Sequence, residues 1–323
     1  MSKANKIAWI DDNPDRARTA DELGAEFINV KNADLAAKVE ELLKGSQRPL
    51  VIVDHILDKT SSTNPVFQRG STIAEALKER WPACPVIGVT NADKADRIDL
   101  RTKQAYDDLL SFSDFRKHFD RIQPIAKDFA RITRASVRKP ADLIELLEAP
   151  SEDEERLTAA LPDDLKRSPR DPSVGSRMYG WVNHLLSRPG FLYDELWTAT
   201  FLGLNHQGFD KVRQIFDRAT YRGVFARPDD PRWWVSRVAQ LLYQKVEPRS
   251  GELSWNVGRR LAGIKPEHYS ECYCCDEDSP PEIVAYLDAS SDERYPMHLN
   301  CTVLHPRYKR ELYFEDVRVM RGK

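Results

Sequence analysis

Two short segments, Pro49–Asp54 (PLVIVD) and Pro85–Thr90 (PVIGVT), are apolar at nearly every consecutive position. A strand with one wet face alternates apolar and polar residues, whereas these need cover on both faces. Such strands belong in a parallel sheet with helices on either side. The neighbouring segments fit that demand. Lys6–Asp11 (KIAWID) reads as a short strand ending in acid, and Asn13-Pro14-Asp15 opens a helix with Asn13 as N-cap and Pro14 at the first helical position. Ala25–Val30 reads as a second strand. Asn32–Lys44 reads as a helix, with Leu35, Val39, Leu42 and Leu43 on one face and Gly45 as its stop. Ser71–Trp81 is a further helix, Tyr106–Leu110 the last strand, and a helix from Ser113 to Thr133 closes the unit. The pattern predicts a doubly wound α/β fold, a five-stranded parallel sheet, over residues 1–135.

The remaining chain differs in texture. Residues 136–176 carry Pro140, Pro150, Pro162, Pro169 and Pro172 among many charges, and are expected to be a linker with two short helices, Ala141–Glu148 and Glu152–Leu161, the latter capped by Ser151. Residues 177–267 hold Trp181, Trp197, Trp233, Trp234 and Trp255 in helical patterns such as Pro231–Val246, predicting an α-helical domain. Residues 268–323 are expected to form a small metal-stapled module with two strands, Glu282–Leu287 and Glu311–Val319. A length of 323 residues suits two domains and a small module. Lys plus Arg number 49 against 51 Asp plus Glu, so no global basic excess points to nucleic acid. No apolar run is long enough to span a membrane, and no apolar leader follows Met1, so a soluble cytoplasmic protein is expected.

In a doubly wound sheet, ligands sit beyond the carboxyl ends of the central strands. Asp11 and Asp12 follow the first strand there, Asp54 ends the third, and Thr90 ends the fourth. Oxygen ligands at one rim suit a hard cation such as Mg²⁺. A carboxylate beside such a cation can act as a nucleophile toward phosphorus, and the Thr90 hydroxyl can bond the added group.

This order resembles the receiver domain of two-component response regulators: the acidic pair Asp11-Asp12, Asp54 in VDHILD, Gly70 opening the next helix, Thr90 in PVIGVT, and AYDDLL before the last helix. The resemblance implies Asp54 as phosphoacceptor, Asp11, Asp12 and Asp54 as Mg²⁺ ligands, and Thr90 as the switch hydroxyl. It also implies a protein partner or homodimer through this domain. Two departures stand out. Receivers carry a lysine after the fifth strand, whereas this region reads Leu109-Leu110-Ser111-Phe112-Ser113 with no lysine before Lys117, and Asp58–Arg69 is inserted ahead of Gly70. A missing cation removes a charge-assisted contact to the phosphoryl group. The alternative is a degenerate receiver that only docks partners.

Of five cysteines, four lie within 30 residues, and an odd count disfavours a disulfide framework. Cys272 and Cys275 form a C-x2-C pair; after 22 intervening residues His298 and Cys301 form an H-x2-C pair. Two such pairs predict a closed Cys3His shell for a structural Zn²⁺. Cys274 is an alternative to Cys272 or Cys275, and His305 a distant reserve. The pattern resembles treble-clef or ribbon-type zinc modules, which bind nucleic acid, bind protein, or staple a small fold. Residues 302–323 carry a net charge of +3 interleaved with Tyr308, Tyr313 and Phe314, a composition suited to phosphates and equally to the outer face of a strand.

Other features carry less. Of Trp233 and Trp234, one is expected in the core and one half-exposed. His55 is expected to be packed, and His184 and His206 have no acid or cysteine at ligand spacing. No Gly-x-Ser-x-Gly, Walker loop or His-Glu-x-x-His motif occurs, so no catalysis is expected beyond phosphoryl acceptance at Asp54. The expected protein is a signalling regulator with output through binding by the helical and zinc-containing part. The competing expectation is a nucleic-acid-associated effector read out by the zinc module.

Overall fold

The computed structural model describes residues 7–30, 40–42, 44, 48–57, 69–90, 98, 100–117, 119–135, 137–275, 283–287, 294–306 and 310–321. Two compact units emerge, one made of 1–142 with 163–181 and the other of 143–162 with 182–323.

The first unit is built on five strands: β1 (Ala8–Asp11), β2 (Glu26–Asn29), β3 (Val51–Asp54), β4 (Val86–Thr90) and β5 (Asp108–Ser111). They are parallel throughout, in the order β2-β1-β3-β4-β5. Side chains of a strand alternate between faces, and the core divides accordingly. Ala8, Ile10, Val51 and Val53 face one layer, packed with Ile73, Ala74 and Leu77 of the helix Gly70–Arg80. Ile7, Trp9, Leu50 and Ile52 face the other, packed with Phe115 of the helix Phe112–Lys117 and Ile122 and Ala126 of the helix Phe119–Arg134. The doubly apolar strands are thus covered on both sides, as their composition requires. The last strand starts at Asp108 rather than Tyr106. Asp107 instead caps the neighbouring strand, its carboxylate accepting from the Val86 amide at 2.6 Å and pairing with Lys78 at 3.2 Å. Of the helix expected over Asn32–Lys44, residues 40–42 and 44 are helical and the rest lie outside the described residues, as does most of the insertion Asp58–Arg69.

Residues 137–176 carry packed side chains as well as the expected short helices. Leu143, Ile144, Leu147, Leu157 and Leu161 are buried within the second unit, and Leu165 within the first. Leu143 and Ile144, Leu157, and Leu165 sit on the helices Pro140–Glu145, Glu154–Ala160 and Asp163–Arg167, Leu147 and Leu161 follow the first two, and Pro150 and Pro162 fall between the helices. Ser151 does not cap the second of these. It opens a 3-10 turn, Ser151–Asp153, that precedes the helix. Asp153 is buried, accepting from the Ser236 hydroxyl and pairing with Arg156 at 3.3 Å.

The second unit is mainly helical in its middle. Trp233 and Trp234 are both buried, against the expectation that one is half-exposed. They form a two-residue strand, β7, antiparallel to β6 (Leu192–Tyr193), so the following helix begins at Val235 rather than Pro231. Pairing turns consecutive residues to opposite faces, and both faces are covered. The tail forms a four-stranded sheet, β10-β11-β8-β9, where two strands were expected. Its strands are β8 (Ile283–Leu287), β9 (Arg294–His298), β10 (Thr302–Leu304) and β11 (Arg318–Met320). Residues 311–317 are not strand because they pack elsewhere in the same unit. Phe314 meets His184 and Phe191 edge-on, and the Glu315 amide donates to the Pro189 carbonyl at 2.9 Å. The tail and the helices share one core: Cys272 and Met297 pack with Tyr193 and Trp197.

Candidate functional sites: an acidic rim and a thiol cluster

In the strand order 2-1-3-4-5 the winding direction reverses between β1 and β3, which opens a crevice at their carboxyl ends. β1 ends at Asp11 and β3 at Asp54. Together with Asp12 they bring carboxylate oxygens within 4.8 Å of one another. Asp11 and Asp54 are buried and Asp12 is half-buried.

Local geometry holds each group. The Asn13 amide donates to Asp11 Oδ1 at 2.8 Å and the Trp9 indole to Asp11 Oδ2 at 3.2 Å. Asn13 caps as expected, its side chain accepting from the Asp15 amide at 3.0 Å, with Pro14 next in line. The resulting 3-10 turn, Pro14–Arg16, returns Arg16 over the rim. Arg16 Nη1 donates to Asp11 Oδ2 at 2.9 Å and to Asp54 Oδ1 at 3.1 Å, while its guanidinium lies 4.4 Å from the centre of the Phe112 ring. Behind Asp54, Gly70 is required by close approach: a Cβ there would stand 2.1 Å from the Asp54 carbonyl oxygen. His55 is packed, its Nδ1 3.1 Å from the Tyr106 hydroxyl.

Burial pushes the Asp54 carboxyl up to about 7, helped by the charge of Asp11 and opposed by Arg16. Burial also raises Asp11, against the pull of Arg16 and the Asn13 amide. Two buried acids this close to each other ask for positive charge. Thr90, on the adjoining strand, has a fully buried hydroxyl with no hydrogen-bond partner among the described residues. Three convergent carboxylates are an appropriate donor set for a hard divalent cation, and Asp11, Asp12 and Asp54 are the residues that would hold one. The cation that sequence reasoning did not find is Arg16. Lys117, the first lysine after the fifth strand, pairs instead with Asp114 at 3.2 Å on the surface. The one signal available was the arginine five residues beyond Asp11, behind a proline-started turn.

The second site lies in the tail. Cys272, Cys275, His298 and Cys301 place their ligand atoms within 4.8 Å of one another. Cys275 Sγ is 3.2 Å from His298 Nδ1 and 4.0 Å from Cys301 Sγ, and the His298 amide donates to Cys272 Sγ at 3.2 Å. The Tyr273 amide donates to the Pro296 carbonyl, tying the first pair to β9, whose last residue is His298. Cys274 and His305 lie outside the cluster. Burial raises the Cys272 thiol, but amides of His298, Cys274 and Cys275 bonded to its sulfur outweigh that and bring it down overall. Burial together with the neighbouring sulfurs of Cys272 and Cys275 pushes Cys301 up to about 12. Three thiols and one imidazole with Nδ1 facing sulfur match the donor chemistry of a closed tetrahedral zinc site.

Two histidines do have acid partners. His184 meets Glu311 at 3.1 Å, across a sequence separation that no spacing reveals. His206 lies 2.5 Å from Glu195 and 3.4 Å from Asp210, four residues on along the same helix. Arg213 pairs with both of those acids, so the group is an exposed ion-pair network. In the basic tail, Arg310 faces Asp316 at 3.6 Å and Arg318 donates to the Thr302 hydroxyl at 3.0 Å; Arg307, Tyr308, Lys309 and Lys323 lie outside the described residues. No helix among the described residues is long and apolar enough to cross a membrane.

No protein-family model and no curated protein matches the chain. Similar solved structures include response regulators and response-regulator receiver domains. The response regulator TrrA of Thermotoga maritima, crystallised with Mg²⁺ and BeF, is 22% identical, with 37% of this chain and 96% of that one covered and a TM-score of 0.27. A CheY-like receiver domain protein of Methanospirillum hungatei is 14% identical, covering 40% of this chain and 98% of that one with a TM-score of 0.31. NtrX of Brucella abortus, in complex with ADP, is 15% identical over 50% of this chain and 34% of its own, with a TM-score of 0.32.

Proposed function

We propose that this chain is a signalling regulator whose N-terminal unit accepts a phosphoryl group on Asp54 and whose C-terminal unit, stapled by Zn²⁺, delivers the output by binding a protein partner. One observation carries the reading: Asp11, Asp12 and Asp54 converge at the switch point of a parallel sheet ordered 2-1-3-4-5. Asp54 in its ionised form would attack phosphorus through a carboxylate oxygen. A phosphorus–oxygen bond to Asp54 forms as the bond to the donor's leaving group breaks, and that group departs with the electron pair. A Mg²⁺ ion held by the three carboxylates would offset negative charge on the phosphoryl oxygens. The Thr90 hydroxyl, without a hydrogen-bond partner among the described residues, would be a donor to the product.

Incubation with Mg²⁺ and a small acyl phosphate at pH 8 tests the reading. One phosphoryl group per chain is expected by intact mass, and none in Asp54→Asn. Wild-type protein that binds Mg²⁺ without gaining mass belongs to the docking-only class.

A further inference from the structure

The geometry points to Arg16 as the resident cation of the acidic site, supplying from the turn after β1 the positive charge that receiver domains draw from a lysine after the fifth strand, and competing with a divalent ion for Asp11 and Asp54. The phosphoryl half of this inference rests on the function proposed above; the metal half stands alone.

Three observations support it. A single nitrogen, Arg16 Nη1, bonds one oxygen of Asp11 and one of Asp54, two of the three carboxylates that would ligate a divalent ion. Metal and guanidinium therefore draw on the same two carboxylates. The Arg16 side chain is also largely buried, at 11% exposure, so this is a desolvated pairing rather than a surface one. Finally, Phe112 occupies the first position after β5 and lies face-on to the guanidinium. The first residue after the fifth strand thus serves as the platform for the arginine. On this geometry the site lacks no cation, and adding one at position 112 sets like charges against each other.

Calorimetric Mg²⁺ titration and phosphoryl incorporation at pH 8 test the assignment on full-length wild type, Arg16→Met, Arg16→Lys and Phe112→Lys. Arg18→Ala, which removes an exposed cation two residues away, is the control. Arg16→Met should bind Mg²⁺ about tenfold more tightly, equivalent to about 1.4 kcal/mol, and Phe112→Lys more weakly than wild type. At saturating Mg²⁺, incorporation should slow about tenfold in Arg16→Met, recover in Arg16→Lys, and gain nothing in Phe112→Lys. Unchanged or weaker Mg²⁺ binding in a folded Arg16→Met would overturn the assignment. So would faster incorporation in Phe112→Lys than in wild type, which is the behaviour of a site short of a cation. If Arg16→Met does not fold, Phe112→Lys and Arg16→Lys decide on the same terms. If wild type accepts no phosphoryl group, the proposed function fails, and the Mg²⁺ ranking still confirms or rejects Arg16 as the competitor.

Discussion

The two candidate metal sites of this chain solve the problem of closely gathered ligand groups in different ways. At the acidic rim the chain brings its own cation: Arg16 bonds Asp11 and Asp54 and is itself held against Phe112. At the thiol cluster three thiols gather with one imidazole, and burial together with the sulfurs of Cys272 and Cys275 pushes Cys301 up to about 12. The first site is electrically paired by the fold. The second is a donor set for a soft dication, and its assembly is expected to depend on one. An acidic site with an internal counter-ion can gain and lose metal without unfolding, as a switch requires; a closed thiolate shell turns metal binding into folding energy.

The sharpest way to break this contrast is to remove metal from both sites. One Zn²⁺ per chain is expected by elemental analysis. A strong chelator, or Cys301→Ser, should unfold the four-stranded tail, because structural zinc contributes roughly 10–16 kcal/mol in small zinc-dependent folds. Cys272 packs with Trp197, so hydrogen exchange should speed up in the helix Glu195–Phe201 as well as in β9 to β11. The amides of β1 and β3 should keep their protection. Equal loss of protection in both units would erase the contrast.

A second test uses pH. Asp54 titrates at about 7 when folded, against about 3.9 in an unfolded chain. Between those values the folded state keeps a proton that the unfolded state has lost. Asp54 therefore lowers the stability of its unit as pH rises from about 4 to about 7, with no further change above. Asp54→Asn removes that dependence, so relative to wild type it should gain on the order of 3–4 kcal/mol between pH 4 and pH 8. Denaturant unfolding of the N-terminal unit, followed at both pH values, measures it. A constant difference would mean that Arg16 keeps Asp54 ionised throughout.

Packing behind the rim gives a smaller effect. Gly70→Ala drives a Cβ toward the Asp54 carbonyl, and overpacking of this kind should cost about 2–3 kcal/mol and loosen Mg²⁺ binding. The smallest effect is expected at His206, whose side chain is 72% exposed in a network that Arg213 already balances. His206→Gln should change stability by less than about 1 kcal/mol and leave zinc content at wild-type level.

The sequence by itself determined those features whose cause is local. Consecutive apolar residues in PLVIVD and PVIGVT demand cover on both faces, and that demand fixes a parallel sheet, its acid-tipped carboxyl rim and hence the gathering of Asp11, Asp12 and Asp54. Two x2-spaced ligand pairs likewise announce their tetrad, because a pair at that spacing presents both ligands to one side. Tertiary structure decided what depends on reach through space. Arg16 is one of many arginines until a proline-started turn folds it back across two strand ends, the farther of which, Asp54, lies 38 residues on from it in the chain. Cys274 sits inside the first ligand pair in sequence, yet lies outside the cluster in space. The charged stretch after residue 136 hides its leucines among prolines, and β10 and β11 are three-residue strands too short to show a period. Periodicity reports which face of an element is apolar; which distant charge arrives to neutralise a buried acid is set by the closed fold alone.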